Sequence, residues 1–224
     1  MANIASGISS NQDALPMPPD FLNVPQLAIC PPAPLLRPPP RFITTDGTIT
    51  LRRWRFSDAS ALIRITSASR SRLAAWIAWP WRSSPCTLDE AMAFTQQMAQ
   101  RWDEGQSWEY AITVQGEGEE EEEEEEVVIG SCRLRRREDH PGVDAGYWLA
   151  ESSTNMGYAT RAVKLLVEEA WRMDAVSVRI VPDRGDGKGR DVLERLGFEC
   201  QGEVDTGRKE DERMDMAWIK YAEP

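Results

Sequence analysis

Apolar positions along this chain switch between two spacings. In "TITLRRWR" and "SWEYAITV" they alternate with polar ones, the spacing of a strand that buries one face. In "TLDEAMAFTQQMAQRW" they recur every three to four residues. Leu88, Ala91, Met92, Phe94, Thr95 and Met98 make one stripe, and Thr87 with Glu90 matches a capping box that starts a helix. The most regular stripe is Ala159, Ala162, Val163, Leu166, Val167 and Ala170. "SDASALIRITSASRSRLAAWIAW" predicts another helix, with Ser57 and Asp58 as cap candidates. "GKGRDVLERLGF" predicts a short one closed by Gly197, a residue type that accepts the left-handed conformation at a helix end. "VVIGSCRLR", "VDAGYWLA", "AVSVRIVP", "FECQGEV" and "RMDMAWIKY" read as further strands. The predicted order is β-α-α-β-β-β-α-β-α-β-β. Such mixing predicts an α/β or α+β class with a mixed sheet.

Two segments break the periodicity. Residues 1–40 hold ten of the fifteen prolines, a density that forbids helices and sheet ladders and predicts a disordered or extended tail. The folded domain is therefore expected over 41–224. The run at 116–126 is almost all glutamate. Its like charges repel and it can bury nothing, so it predicts a solvated loop expanding a hairpin between two strands.

That run also explains the composition. The formal net charge is -11, but Glu117 and the glutamates at 119–126 supply most of it. The remainder is close to neutral, and no basic surface large enough for nucleic acid as the main ligand is expected. The four cysteines, Cys30, Cys86, Cys132 and Cys200, form no CxxC pair, so neither a metal site nor a disulfide framework is predicted. A reduced, cytoplasmic setting is the expectation. No apolar run approaches the roughly 20 residues of a membrane span, and no secretory or mitochondrial leader is predicted. The single histidine, His140, sits in the turn-like "REDHPG" and reads as an exposed turn residue.

One unit carries candidate chemistry. "VDAGYWLA" places Val143, Ala145, Tyr147 and Leu149 on one strand face and Asp144, Gly146 and Trp148 on the other. A loop then delivers Gly157 to the start of the best helix. Unpaired N–H groups and the positive dipole end of a helix favour an anion, and glycine lets the anion approach the backbone. The same pattern also fits a plain turn. If the neighbouring strand diverges, an extended amide-bearing ligand could pair with the strand before the loop.

The words "GYWL", "TNMGYA", "GYAT" and "VLERLGF" resemble the GNAT acetyltransferase superfamily, in the branch that acetylates ribosomal-protein N-termini. "ITLRRWRFSDASAL" and "AWPWRSSPCTLDEAMAF" are similar to that branch's first strand and paired helices, so the resemblance runs in order over about 43–222. It implies a mostly antiparallel mixed sheet flanked by helices. It further implies acetyl-CoA as co-substrate, held in a gap between the family's fourth and fifth strands. The pantetheine arm would pair with Tyr147, Trp148 and Leu149, and the pyrophosphate would lie on the amides of Asn155, Met156, Gly157, Tyr158, Ala159 and Thr160. A primary amine, on a protein N-terminus or a small molecule, would attack the thioester directly. No membrane or metal is implied, and the protein would be a monomer or homodimer.

Several positions depart from the branch. Thr154 stands for the usual Gln or Arg, Asn155 for a common glycine, and Asp186 and Gly189 for the Asn and Ser before the last helix. Asp186 remains a coenzyme-contact candidate as an acceptor. No tyrosine lies in that helix, so water would protonate the leaving thiolate. Asp144 is the first candidate base and Glu109 the next; Trp76, Trp79 and Trp81 could wall the acceptor site or pack in the core. The alternative function is a non-catalytic acyl-CoA-binding or protein-interaction scaffold.

Overall fold

The computed structural model describes residues 36–43, 47–70, 73, 85–116, 126–137, 140–182, 185–204 and 215–223. Among them run eight strands: β1 (Arg41–Ile43), β2 (Thr50–Arg53), β3 (Ser107–Gln115), β4 (Glu126–Arg136), β5 (Val143–Leu149), β6 (Ser177–Ile180), β7 (Glu199–Val204) and β8 (Asp215–Tyr221). Four α-helices accompany them: α1 (Ala59–Ala68), α2 (Leu88–Asp103), α3 (Tyr158–Arg172) and α4 (Gly187–Arg195). The strands form one sheet in the order β1-β2-β3-β4-β5-β6-β8-β7. Every pair is antiparallel except β5 with β6. This is the mixed, mostly antiparallel sheet flanked by helices that the sequence predicts. The addition is β1, three residues long and too short to show an alternation.

The alternation of each strand divides the core in two. Trp108, Tyr110 and Ile112 of β3 join Leu134 of β4, Val143 of β5, and Ala162, Val163, Leu166 and Ala170 of α3 in one cluster. Ala111 of β3 and Val128 of β4 join Leu62 and Ile65 of α1 and Ala91 of α2 in the other. The helices of the first half thus cover one face and α3 covers the opposite one. In the α3 stripe Ala162, Val163, Leu166, Val167 and Ala170 are buried as predicted, while Ala159 is half-buried.

The helix starts follow different physics. At α2 the predicted capping box is present: the Glu90 N–H donates to Thr87 Oγ1 (3.3 Å) and the Thr87 N–H to Glu90 Oε2 (2.8 Å). At α1 Asp58 is the N-cap residue, yet its carboxylate makes no cap bond. It accepts instead from Arg52 Nη1 (2.7 Å), Arg52 Nη2 (2.9 Å) and the Arg55 N–H (2.7 Å). Arg52 Nε also donates to Glu126 Oε2 at 2.7 Å. A buried guanidinium held by two carboxylates ties β2, the turn into α1 and the start of β4 together; removing one partner would strand a charge. Glu126, expected within the acidic loop, is therefore the first residue of β4, paired with Gln115.

The chain also joins the fold earlier than the boundary at 41. The Leu36 N–H donates to Met173 O (3.3 Å), the Tyr110 hydroxyl to Pro39 O (3.0 Å) and the Arg53 N–H to Pro40 O (2.7 Å). Proline lacks a donor but keeps its carbonyl, and here those carbonyls anchor the segment. Residues 1–35, the acidic run over 117–125 and Trp76, Trp79 and Trp81 lie outside the described residues.

Gly130 sets the spacing of β4 and β5. A Cβ there would lie 2.3 Å from Trp148 O, a backbone atom. Gly130→Ala is therefore expected to destabilise the fold by about 3 kcal/mol, read as a lowered urea midpoint at unchanged m-value.

Candidate active site

β5 has two unlike edges. Along one it pairs with β4 from Val143 to Leu149. Along the other it pairs with β6 through Val143, Ala145 and the residue between them only, opposite Val178 to Ile180. Beyond Ala145 no pairing with β6 continues among the described residues, because β6 ends at Ile180. The Ala150 N–H donates to Ile129 O (2.8 Å), which fixes the alternation of an antiparallel ladder. Trp148 then turns its peptide groups toward β4, opposite Ser131, whereas Tyr147 and Leu149 turn theirs toward the β6 side. Tyr147 and Leu149 thus point their peptide groups away from β4, the direction that strand pairing with a ligand would need. Trp148 is a correction: the ladder with β4 takes its backbone, and its side chain packs on the α1–α2 face.

The strand then enters a short turn, Glu151–Ser153, held by the Glu151 N–H donating to Ser69 Oγ at 2.9 Å. Two left-handed residues follow, Asn155 at φ 65 and Gly157 at φ 79. They curl the chain into the first turn of α3. The Arg161 N–H donates to Gly157 O (3.2 Å), but among the described residues no backbone N–H from 155 to 160 has an acceptor. Six consecutive amides without a described acceptor therefore lie at the positive end of a 15-residue helix, the chemistry of an anion site. Asn155, Met156, Gly157, Tyr158, Ala159 and Thr160 are all brought together here. Met156 adds an exposed side chain.

Two cations at this loop are not among the residues that the sequence singles out. A Cβ on Gly157 would lie 2.7 Å from Arg161 Nη1, so that guanidinium lies against the loop. Arg195, at the end of α4, donates through Nη1 to Thr160 Oγ1 (3.2 Å). Arg161 is legible in principle, four residues after Gly157 on one helix face. Arg195 is not, because its approach depends on how α4 packs. Asp186 serves its own helix. It is the N-cap of α4, and its Oδ1 accepts from the Gly189 N–H at 3.0 Å. The residue that stands for a serine, Gly189, leaves room for that carboxylate, since a Cβ there would meet Asp186 Oδ2 at 2.5 Å.

The two candidate bases share one sheet face but not one environment. Asp144 Oδ2 accepts from Arg135 Nη2 (2.8 Å) and Oδ1 from Arg179 Nε (2.7 Å). Burial raises its pKa, but the bonds and charges of Arg179 and Arg135 outweigh that and hold the carboxyl below its usual range. The first-choice base is therefore a clamped anion with little tendency to take a proton. Glu109 is buried on β3 and accepts from Ser131 Oγ at 2.9 Å. Its burial outweighs the charges of Arg133 and Arg101 and the Ser131 bond, and pushes its pKa up. Ser131 itself accepts from Trp54 Nε1 at 3.3 Å, which orients its hydroxyl. His140 is half-buried rather than exposed, and its Nδ1 accepts from the Gly142 N–H at 3.0 Å. Burial and the charges of Arg137 and Arg179 keep it below its ordinary pKa, a neutral turn-former. Among the described residues no three His, Cys, Asp or Glu side chains gather as a metal site would require. No described helix is long and apolar enough to cross a membrane.

Residues 48–199 match the family model of the GNAT acetyltransferase domain. No curated protein sequence matches the chain. Among solved structures, RimL, an α-N-acetyltransferase of ribosomal protein L7/L12 in complex with coenzyme A, is 19% identical with a TM-score of 0.67, over 80% of this chain and 96% of that one. RimJ of Mycobacterium smegmatis, in complex with a CoA disulfide, is 19% identical with a TM-score of 0.65, over 78% and 82%. The microcin C7 self-immunity acetyltransferase MccE, in complex with acetyl-CoA and AMP, is 16% identical with a TM-score of 0.66, over 78% and 93%. At these identities the likeness establishes the fold.

The ion pairs of Asp144 make a pH-dependent contribution to stability. Its folded pKa lies below the unfolded value of about 3.9, so the contribution is present above that pH and is lost as pH falls through the folded value. Asp144→Asn is expected to lower stability by about 2 kcal/mol at pH 7, and the difference should shrink below about pH 4, as read by urea melts across pH.

Proposed function

The chain belongs to the GNAT acetyltransferase family, and we propose that it moves an acetyl group from acetyl-CoA to a primary amine, with a protein N-terminus as the acceptor. One observation carries this reading: the edge of β5 beyond its pairing with β6 runs, through one short turn, to six amides that have no acceptor among the described residues at the start of α3. An extended ligand with amides at one end and a pyrophosphate at the other fits both halves at once. Leu149 and Tyr147 would meet the pantetheine arm, and the amides over 155–160 with Arg161 would meet the phosphates. The coenzyme brings an activated acetyl thioester.

The chain's own part begins with the acceptor's proton. An amine must be neutral to attack, and Glu109 is the group proposed to receive the proton, supported by the burial that raises its pKa. It lies on the α1–α2 face of the sheet, on β3, in a row with Arg133 of β4 and Gly146 of β5. Two strand spacings, about 10 Å, separate β3 from β5, so transfer runs through water and not by direct contact. Ser131 is a positioning residue that keeps one Glu109 oxygen fixed. Support for a protein acceptor comes from RimL, an α-N-acetyltransferase of a ribosomal protein. The thiols of Cys86, Cys132 and Cys200 are free, which fits the reducing cytoplasm proposed as its setting.

Calorimetric titration tests the coenzyme site. Acetyl-CoA should bind, and Gly157→Val should weaken binding at least tenfold, because φ 79 strains a branched residue and its Cβ displaces Arg161. Absence of binding at high micromolar coenzyme would sink the proposal. A thiol-release assay tests the base. The rate should rise with pH through a limb above the usual carboxylate range of about 4.3, distinct from the acceptor's own limb near 8. Glu109→Gln should remove the lower limb and slow turnover about 100-fold; an unchanged profile would exclude Glu109.

A further inference from the structure

On the α1–α2 face of the sheet, one hydroxyl group meets three partners. Ser131 of β4 is fully buried, between Ala111 of β3 and Trp148 of β5 in the register. Trp54, just after β2, donates through Nε1 to Ser131 Oγ at 3.3 Å. From that oxygen, Glu109 Oε1 lies at 2.9 Å and Tyr110 O at 3.0 Å. Trp54 and Glu109 are themselves buried, so water does not compete freely for these bonds. The charges that act on Glu109 among the described residues are Arg133 of β4 and Arg101 of α2, and the Cys132 thiol of β4 is coupled to it.

A hydroxyl has one hydrogen and two lone pairs. The Trp54 indole only donates, so it takes one lone pair of Ser131 Oγ and leaves one. The single hydrogen then has two acceptors at nearly equal distance, a carboxyl oxygen and a peptide carbonyl. While Glu109 is ionised the carboxylate is the stronger acceptor, and the hydrogen belongs there. Once Glu109 is protonated at Oε1, that oxygen becomes a donor, and the remaining lone pair of Ser131 Oγ accepts from it. The Ser131 hydrogen is released toward Tyr110 O. All four groups stay bonded in both states, and no heavy atom has to move. A buried polar group left without its bond would cost about 1–3 kcal/mol in either state.

Resting on the acetyltransferase reading above for its role in turnover, we propose that Ser131 is a reversible hydrogen-bond switch for Glu109. It donates to Glu109 Oε1 while the carboxyl is ionised. It accepts from Oε1 and donates to Tyr110 O once Glu109 has taken the acceptor amine's proton. Trp54 is a positioning residue, since its indole N–H holds Ser131 Oγ in place in both states. One proton passes from the acceptor's ammonium group through water to Glu109, and it returns to water before the next turnover. No bond between heavy atoms forms or breaks. Burial alone favours the protonated carboxyl, and the Ser131 bond to the ionised form opposes it. Glu109 can therefore give its proton back as well as take one.

The test is carbon NMR of the full chain across pH, following the Glu109 side-chain carboxyl and the Tyr110 backbone carbonyl. Glu109→Gln assigns the carboxyl signal by removing it. In the unaltered protein both carbons should titrate with one midpoint, because the carbonyl gains its hydrogen bond as the carboxyl gains its proton. In Ser131→Ala the Glu109 midpoint should rise by about one pH unit, since the ionised form loses the stronger bond, and the Tyr110 carbonyl should stop responding. In Trp54→Phe the midpoint should rise by less and the Tyr110 response should persist, since polarisation of the hydroxyl is lost but the hydroxyl is not. A Tyr110 carbonyl that stays flat while Glu109 titrates in the unaltered protein would overturn the switch. So would an unmoved Glu109 midpoint in Ser131→Ala whose amide spectrum shows a folded chain. If that variant does not fold, the shared midpoint and Trp54→Phe decide. Thiol release with acetyl-CoA and a peptide amine separates the switch from the base. The lower limb of kcat/KM should follow the Glu109 midpoint upward in Ser131→Ala. A limb that stays while the midpoint moves would exclude Glu109 as the base and leave the switch standing.

Discussion

Among the described residues β5 pairs with β4 along one edge for its whole length and with β6 along the other through three residues. Nearly every functional feature depends on that inequality. A parallel pair has no hairpin to hold its strands together beyond the ladder, and the chain between β5 and β6 must pass through α3 before it returns. α3 packs through Ala162, Val163, Leu166 and Ala170 onto the face opposite α1 and α2. Its N-terminus therefore follows the end of β5 that extends beyond the pairing with β6. Edge and helix end are two consequences of one crossover, and this is why a ligand with an extended arm and an anionic head meets both.

The same geometry explains why two carboxylates on one face differ so much. Asp144 lies in the part of β5 still bound to β6, and the parallel register brings Arg179 beside it. Glu109 lies two strands away, beneath α2, where burial is deep and a neutral hydroxyl, that of Ser131, donates to it. Ion pairing prevails over burial at the first site and burial over ion pairing at the second. A one-residue shift in the β5–β6 register would turn Arg179 to the other face and undo this contrast.

These relations are only partly legible in the sequence. The α3 stripe, the α2 capping box and the alternation of β5 are local patterns, and each is present where the residues place it. At Trp148 the alternation fixes the side-chain face but not which neighbour takes the peptide groups; that needs the pairing with Ser131. At Asp144 the sequence hides the clamp, because Arg135 and Arg179 come from positions 9 and 35 residues away. The cap at Asp58 is overridden by a residue six positions earlier, Arg52, whose two-pronged bond outcompetes a single backbone N–H. Local periodicity states which face a residue occupies, and only the register states which charge it meets.

The departures in the phosphate loop follow from the same distinction. Asn155 replaces a glycine that the branch commonly has, yet it holds φ 65, a conformation that asparagine tolerates better than most side chains. The left-handed bend before α3 is still made, because it needs a permissive residue and not glycine alone. At Gly157 the constraint is stricter: the backbone is left-handed and Arg161 occupies the space a Cβ would take. Thr154 lacks the donors of the usual Gln or Arg, and its Oγ1 donates to Glu151 O at 2.9 Å, which closes the turn. Positive charge reaches the loop from Arg161 and Arg195 instead. The loss of a donor before the glycine is thus offset by cations after it, and the loop keeps the field that an anion requires.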